Sequence, residues 1–83
     1  MKTSFVYILL CSDKTYYTGV TEDLFRRFNE HQDGKYFGSY TYNRRPVVLV
    51  YYVIFTDIKE AILFEKKIKK WSKAKKEALI NGQ

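Results

Sequence analysis

The 83 residues predict a small α/β fold of the α+β kind, a three-stranded sheet with helices in the order β-β-α-β-α-α. Three observations predict it. Two β-rich runs, "SFVYILLC" (4–11) and "TYYTGVT" (15–21), are joined through the turn residues of "SDKT", so the second strand returns antiparallel to the first. A third run, "VVLVYYVIF" (47–55), opens directly behind the only proline, Pro46. In the remaining segments the apolar residues recur at helical spacing.

Glycine weakens a strand interior, so Gly19 in the second strand marks either a bulge or a backbone that something approaches closely. Thr21 is a candidate N-cap for the first helix, with Glu22 and Asp23 in its first turn, where the helix dipole favours acids. Leu24 and Phe28 form the core-facing rungs, and the helix is expected to reach about Gln32. Residues 33–45 read as a loop rich in glycine, tyrosine and arginine. The run after Pro46 is the longest strand candidate and is expected at the centre of the sheet. Asp57 with Glu60 has the spacing of a capping box, and Ala61, Phe64, Ile68 and Trp71 share one helical face. Ser72 is a fresh N-cap, so a third helix carrying Ala78, Leu79 and Ile80 follows and stops at "NG".

Composition narrows the functional classes. A chain of this length forms one domain, 1–83, and buries only roughly 60% of its unfolded surface, so inward polar groups are costly unless they are paired or used. The net charge of +6 favours an anionic partner, nucleic acid ahead of membrane. A lone cysteine, Cys11, excludes an internal disulfide and argues against a thiolate zinc site, and its place after "FVYILL" suits a buried structural thiol. No apolar run approaches the ~18 residues of a membrane span, and the N-terminus lacks a signal-peptide pattern. A cytoplasmic monomer is the default expectation.

Polar groups on packing faces carry the functional signal. Arg27 lies in angle between Leu24 and Phe28, the only histidine, His31, follows one turn later, and Arg26 points to the opposite side. Glu65 falls between Ala61, Phe64 and Ile68, on a face that packing alone would make apolar. Tyr7 and Tyr17 bring phenols into otherwise aliphatic strands beside Gly19. Each has a plainer reading: Arg27 can snorkel to water, His31 can be a satisfied packing residue, and Glu65 can pair with Arg27, although a buried ion pair is expensive in so small a core.

Taken together, two phenols, a guanidinium, an imidazole and a carboxylate suit phosphodiester hydrolysis. The attacking water needs a base, the phosphoryl centre needs positive charge, and the leaving oxygen needs a metal or an acid. One carboxylate suits a single hard cation such as Mg2+, and a guanidinium fits phosphate through its donor fork. Holding an ordinary phenol ionised at neutral pH costs about 4 kcal/mol, which cations, metal-bound water or the neighbouring Arg27 and His31 would have to offset.

These residues resemble the GIY-YIG nucleases, in their short single-domain bacterial branch. The first tripeptide of the name stands as "FVY" (Phe5, Val6, Tyr7), with Phe5 replacing the glycine, and the second as "YTG" (Tyr17, Thr18, Gly19). The family's arginine and histidine, four residues apart, match Arg27 and His31 in "RRFNEH", and its glutamate matches Glu65 in "LFEKKIKKW". Phe64 stands where many relatives carry arginine, and Asn81 is the only candidate for the family's C-terminal asparagine. The resemblance implies a three-stranded antiparallel sheet flanked by helices and cleavage of a phosphodiester to a 3′-hydroxyl and a 5′-phosphate. It implies one Mg2+ (or Mn2+) held by Glu65, and Tyr7 as general base or water-orienting group with Tyr17 as its partner. Arg27 would stabilise phosphoryl charge, His31 would assist proton transfer, and Gly19 would allow close backbone packing.

With no targeting domain, affinity would come from surface charge. Arg44 and Arg45 in the loop and Lys66, Lys69, Lys70 and Lys73 on the basic helices are the candidate nucleic-acid contacts, within a run that also includes Lys67, Lys75 and Lys76. Tyr36, Phe37, Tyr40 and Tyr42 accompany the loop, either as stacking surfaces for unpaired bases or packed on the domain itself. The expectation is a metal-dependent endonuclease on DNA (RNA being the other candidate) with little sequence preference, selective for branched or flapped structures, in repair or processing. The alternative is a non-catalytic nucleic-acid-binding accessory module. The nuclease reading expects Tyr7, Tyr17, Arg27, His31 and Glu65 to converge on one concave surface.

Overall fold

The computed structural model describes residues 2–82. Strands β1 (Ser4–Leu10), β2 (Tyr16–Thr21) and β3 (Val48–Phe55) form one antiparallel sheet with α1 (Leu24–Asp33), α2 (Ile58–Lys69) and α3 (Lys73–Ile80). The element order is the predicted β-β-α-β-α-α.

The strand order is β2-β1-β3, so β3 is an edge and β1 the centre, a correction to the expectation that the longest run is central. Burial explains it. Val6, Tyr7, Ile8 and Leu9 of β1 are all buried, because β1 is covered on both faces. On β3, Val48, Tyr52 and Ile54 remain about half exposed. The hairpin turn forces β2 beside β1: Cys11 and Thr15 close it through an N–H···O bond of 2.9 Å, with Lys14 in the left-handed region. The remaining free side of β1 is where β3 pairs.

Alternation along β1 divides the core. Val6 and Ile8 pack with Ala61 and Ile68 of α2, joined by Phe64, Trp71, Leu79 and Ile80. Tyr7 and Leu9 face the other way, with Cys11, Val47, Leu24 and Phe28. Thus α2 and α3 cover one face of the sheet and α1 lies on the other.

The helix ends follow local chemistry, with one shift. Asp23, not Thr21, caps α1, its carboxylate accepting from the Arg26 N–H at 3.1 Å. Thr21 is held in β2 by its pairing with Phe5, and its hydroxyl accepts from the Asp23 N–H instead. Gly34 ends α1 at φ 69°, a conformation glycine adopts without a Cβ penalty. Asp57 caps α2 through the Lys59 N–H at 2.9 Å, and Ser72 caps α3 through the Lys75 N–H at 3.2 Å.

Candidate active site

The site begins at a cross-strand pair. Tyr7 on β1 stands opposite Gly19 on β2, and a Cβ on Gly19 would run into the Tyr7 hydroxyl and ring. Glycine therefore lets the phenol lie over the edge strand, which is the close approach the sequence left open. From α1, buried His31 places Nε2 2.9 Å from the Tyr7 oxygen. Its other nitrogen, Nδ1, lies 2.7 Å from the hydroxyl of Thr41, which is also buried. Tyr17 joins on the same face, its ring centroid 5.1 Å from that of His31 and 6.3 Å from that of Tyr7. Tyr40 stacks on the outer side of Tyr17 at 5.8 Å.

Electrostatics set the resting protonation. Burial, with Tyr17 alongside, pushes the Tyr7 phenol well above its ordinary value of 10.0, against the pull of the nearby Arg27 guanidinium. Burial also lowers the His31 pKa below 6.5, and Arg27 lowers it further. At neutral pH the pair is thus a protonated phenol against a neutral imidazole.

Arg27 forms the open side of this group. Its side chain is 40% exposed and its Nε lies 3.2 Å from Glu30 Oε1. It does not pair with Glu65, which removes the buried ion-pair reading. Arg26 is not on the far side, as its helical angle suggested. Its Nε bonds Glu30 Oε2 at 3.2 Å, with Lys35 Nζ on the same oxygen at 3.1 Å. Glu30 is thus a shared anchor, and Lys35, followed by Arg26, holds its carboxyl below the usual range. Arg26, Arg27, Glu30 and Tyr36 line a cleft of about 590 Å³ together with Ile58 and Ile62 of α2. A larger apolar groove of about 780 Å³, around Phe5, Phe25, Tyr52 and Ile54, contains none of the five predicted residues.

Glu65 stands apart from the hydrogen-bonded group. It is buried on α2 between Ala61 and Ile68, hence on the helix that covers the face opposite Tyr7. Its ion-pair partner is Lys69, at 3.5 Å. Helical spacing nevertheless continues the stripe of Ile58 and Ile62 through Glu65, and those two isoleucines line the cleft with Arg27. The two faces of the sheet meet at the edge strand β2. Among the described residues no group of three or more His, Cys, Asp or Glu gathers to hold a metal. A donor set of one carboxylate fits a hard cation that keeps most of its own water, as magnesium does, and does not fit zinc.

The basic residues divide by environment. Lys66, Lys69, Lys70 and Lys73 are exposed along α2 and α3. Lys76, read from sequence as surface charge, is buried, and burial lowers its pKa. Arg44 is a brace: Nε bonds Asp13 at 3.0 Å, a terminal nitrogen donates to the Tyr40 carbonyl at 2.6 Å, and the guanidinium lies 3.9 Å over the Tyr40 ring. Arg45 donates to the Tyr42 carbonyl and lies over its ring. Tyr40 and Tyr42 are therefore engaged within the loop, whereas Phe37 is 87% exposed. Two participants escaped the sequence reading, Thr41 and Glu30, while Tyr40, expected as a stacking surface for bases, stacks on Tyr17 instead. Only Glu30 left a signal, sitting four residues after Arg26 and three after Arg27.

These features define a small α+β domain with a phenol–imidazole pair and a guanidinium gathered at one sheet edge, a site type suited to phosphoryl chemistry. Comparison with known proteins agrees. Residues 3–78 match the GIY-YIG catalytic domain, and the chain belongs to that family, a domain typical of nucleases. It is 46% identical over 80 residues to a UPF0213 protein of Syntrophus aciditrophicus, covering 96% of this chain and 92% of the relative. A UPF0213 protein of Halobacterium salinarum is 47% identical over 75 residues, covering 90% and 96%. Among solved structures, the solution structure of a UPF0213 protein from Bacillus halodurans aligns with a TM-score of 0.62 at 40% identity, covering 95% of this chain and 83% of that one. The solution structure of an E. faecalis protein aligns at 0.63 and 33%, covering 95% and 84%.

Proposed function

We propose that the chain is a divalent-metal-dependent endonuclease that hydrolyses phosphodiester bonds of DNA with little sequence preference, residues 1–83 acting as one domain. Branched or flapped DNA in repair or processing is the candidate substrate. The observation that carries this reading is the buried Tyr7–His31 hydrogen bond of 2.9 Å, with Arg27 close to Tyr7 and itself lining a cleft. Packing alone does not call for a phenol, an imidazole and a guanidinium converging over a glycine.

In this reading Tyr7 orients the attacking water and takes its proton when ionised. His31 and Arg27 are the groups placed to stabilise the phenolate. Arg27 has its guanidinium partly exposed in the cleft, where its donor fork can meet phosphate oxygens as negative charge develops on them. Tyr17 walls the site and Glu30 sets the Arg27 side chain. Glu65 would hold the divalent cation, which when bound supplies charge neutralisation at the leaving oxygen. Lys66, Lys69, Lys70 and Lys73, with the outer donors of Arg44 and Arg45, would draw in the phosphate backbone without reading bases.

One observation favours the second reading, a nucleic-acid-binding accessory module without turnover. Glu65 is paired with Lys69 and lies outside the hydrogen-bonded group. Incubation of purified protein with labelled duplex, single-stranded, flapped and four-way DNA in Mg2+ or Mn2+ separates the two. Cleavage abolished by EDTA and by Glu65→Ala supports the nuclease. Salt-sensitive binding with no cleavage of any substrate, RNA included, supports the accessory module.

A further inference from the structure

We propose that Thr18 is part of the cation site: its hydroxyl is a second protein oxygen, beside the Glu65 carboxylate, for a divalent ion held with its water between β2 and α2. The proposal rests on the nuclease reading in assigning the ion to Glu65.

The starting observation is an orphaned oxygen. Thr18 is 2% exposed, and among the described residues its Oγ1 is the one buried side-chain polar atom without a hydrogen-bond partner. A buried hydroxyl left unpaired carries its full desolvation cost. Valine has the same shape and suits a strand without that cost, so packing alone does not call for the oxygen.

The fold sets this oxygen level with Glu65. Thr18 pairs with Ile8 across β1 and β2 and alternates with Tyr16 and Val20, all three of which belong to the core beneath α2. Thr18 therefore faces α2. On α2, Ala61 and Ile68 point at the sheet. Phe64 flanks them on the β3 side, its ring centroid 5.6 Å from that of Phe55. Successive helix residues are about 100° apart, so Glu65 flanks them on the other side, toward β2. Ile58 and Ile62 mark that side, since they line the cleft with Val20 and Thr21. Position along β2 is fixed from both ends. Val20 lies by Ile58 and Ile62, whereas the Tyr16 hydroxyl donates to Glu77 of α3 at 3.1 Å. Thr18 stands between Val20 and Tyr16 on the strand, as Glu65 stands between Ile62 and α3 on the helix.

A carboxylate and a hydroxyl in one layer fit a hard cation that keeps most of its water. Threonine hydroxyls serve Mg2+ in this way in nucleotide-binding loops. Glu65 brings the charge, and Thr18 adds a neutral lone pair that fixes where the ion sits. Lys69, exposed and 3.5 Å from Glu65, is the counter-charge that can turn to water as the ion enters. Thr18 also lies between Tyr17 and Gly19, so an ion anchored on it is tied to the strand that carries the Tyr7 contact on its other face.

The test is Mn2+ affinity without DNA, followed by line broadening in 15N–1H spectra, with melting temperature in EDTA and in Mg2+. In the unmodified protein, substoichiometric Mn2+ should first broaden amides near Thr18 and Glu65, and Glu65→Gln should abolish this. Thr18→Val should weaken Mn2+ binding roughly 10–100-fold, while Thr18→Ser, which keeps the hydroxyl, should stay within about threefold of the unmodified protein. In EDTA, Thr18→Val should melt no lower than the unmodified protein, because an unpaired buried hydroxyl has gone, yet it should lose the rise in melting temperature that Mg2+ gives. Thr18→Ala is a second hydroxyl-free variant, should valine not fold, and should lose Mn2+ affinity equally. Hydroxyl-free variants that bind Mn2+ like the unmodified protein, while Glu65→Gln does not, overturn the role of Thr18 and leave the nuclease reading standing. Unchanged Mn2+ binding in Glu65→Gln overturns both. A protein that binds Mn2+ as described but cleaves no DNA removes the nuclease reading alone.

Discussion

At the scale of single residues, Gly19 and His31 carry the sharpest consequences. The Tyr7 phenol occupies the space a Cβ on Gly19 would need. Gly19→Ala should therefore destabilise the fold by about 1–3 kcal/mol through overpacking and push Tyr7 off His31. Denaturant unfolding and cleavage, measured together, check both effects; a variant that is stable and fully active would contradict the contact. His31 gives a pH dependence of defined sign. Its folded pKa lies below the 6.5 of an ordinary histidine, so as pH falls through that value the unfolded chain binds a proton that the native state refuses, and stability is lost. Melting temperature should drop more steeply from pH 7 to pH 5 in the unmodified protein than in His31→Gln. Equal slopes would mean that His31 titrates freely. Sequence alone pointed to both positions, but not to Thr41, because a threonine in a polar loop has no pattern that sets it apart before the loop closes on α1.

At the scale of elements, α1 tests the division between packing and chemistry. Arg27 is partly exposed, and its partner Glu30 keeps Arg26 and Lys35 when Arg27 is removed. An ion pair that is partly exposed and shared with two other cations contributes on the order of 1 kcal/mol, so Arg27→Ala should melt within roughly 8 °C of the unmodified protein. Its cleavage should fall about 10²–10³-fold, the loss typical of one transition-state donor. Arg26→Ala shares the cleft and Glu30, yet it is not beside Tyr7, and should lose less than about tenfold. An Arg27→Ala protein that unfolds early but cleaves normally per folded molecule would remove Arg27 from the chemistry. The helices were legible because capping residues and apolar periodicity act within one or two turns. The place of β3 was not, since a continuous apolar run reads alike at the centre or the edge of a sheet. What decides is the hairpin that fills one side of β1. Nor did helical angle alone show that Arg26 could reach Glu30, because long side chains bend across a helix surface.

At the scale of the whole molecule, charge and topology act together. The sheet separates α1, with Tyr7 and His31, from α2, with Glu65, and the edge strand β2 is where the two sides meet. Exposed Lys66, Lys70 and Lys73 add to the net charge of +6. Binding to duplex DNA should weaken steeply with salt as condensed counterions are released. Reversing the three lysines to glutamate should lower affinity equally for unrelated sequences and flatten the salt slope by up to about three. An unchanged slope would make the lysines a solvated face only.

The proposed nuclease requires that the Tyr7–His31–Arg27 group and Glu65 act as one hydrolytic site across the β2 edge. The most direct test is the cleavage rate of a labelled flapped DNA at increasing Mg2+, for the unmodified protein, Tyr7→Phe and Glu65→Gln, with the product ends identified. The products should carry 5′-phosphate and 3′-hydroxyl ends, and the rate should saturate in Mg2+. Tyr7→Phe should keep the Mg2+ dependence but lose at least about 100-fold in rate, and Glu65→Gln should lose the response to Mg2+. Equal rates in all three proteins, or cleavage indifferent to Mg2+, would contradict that requirement.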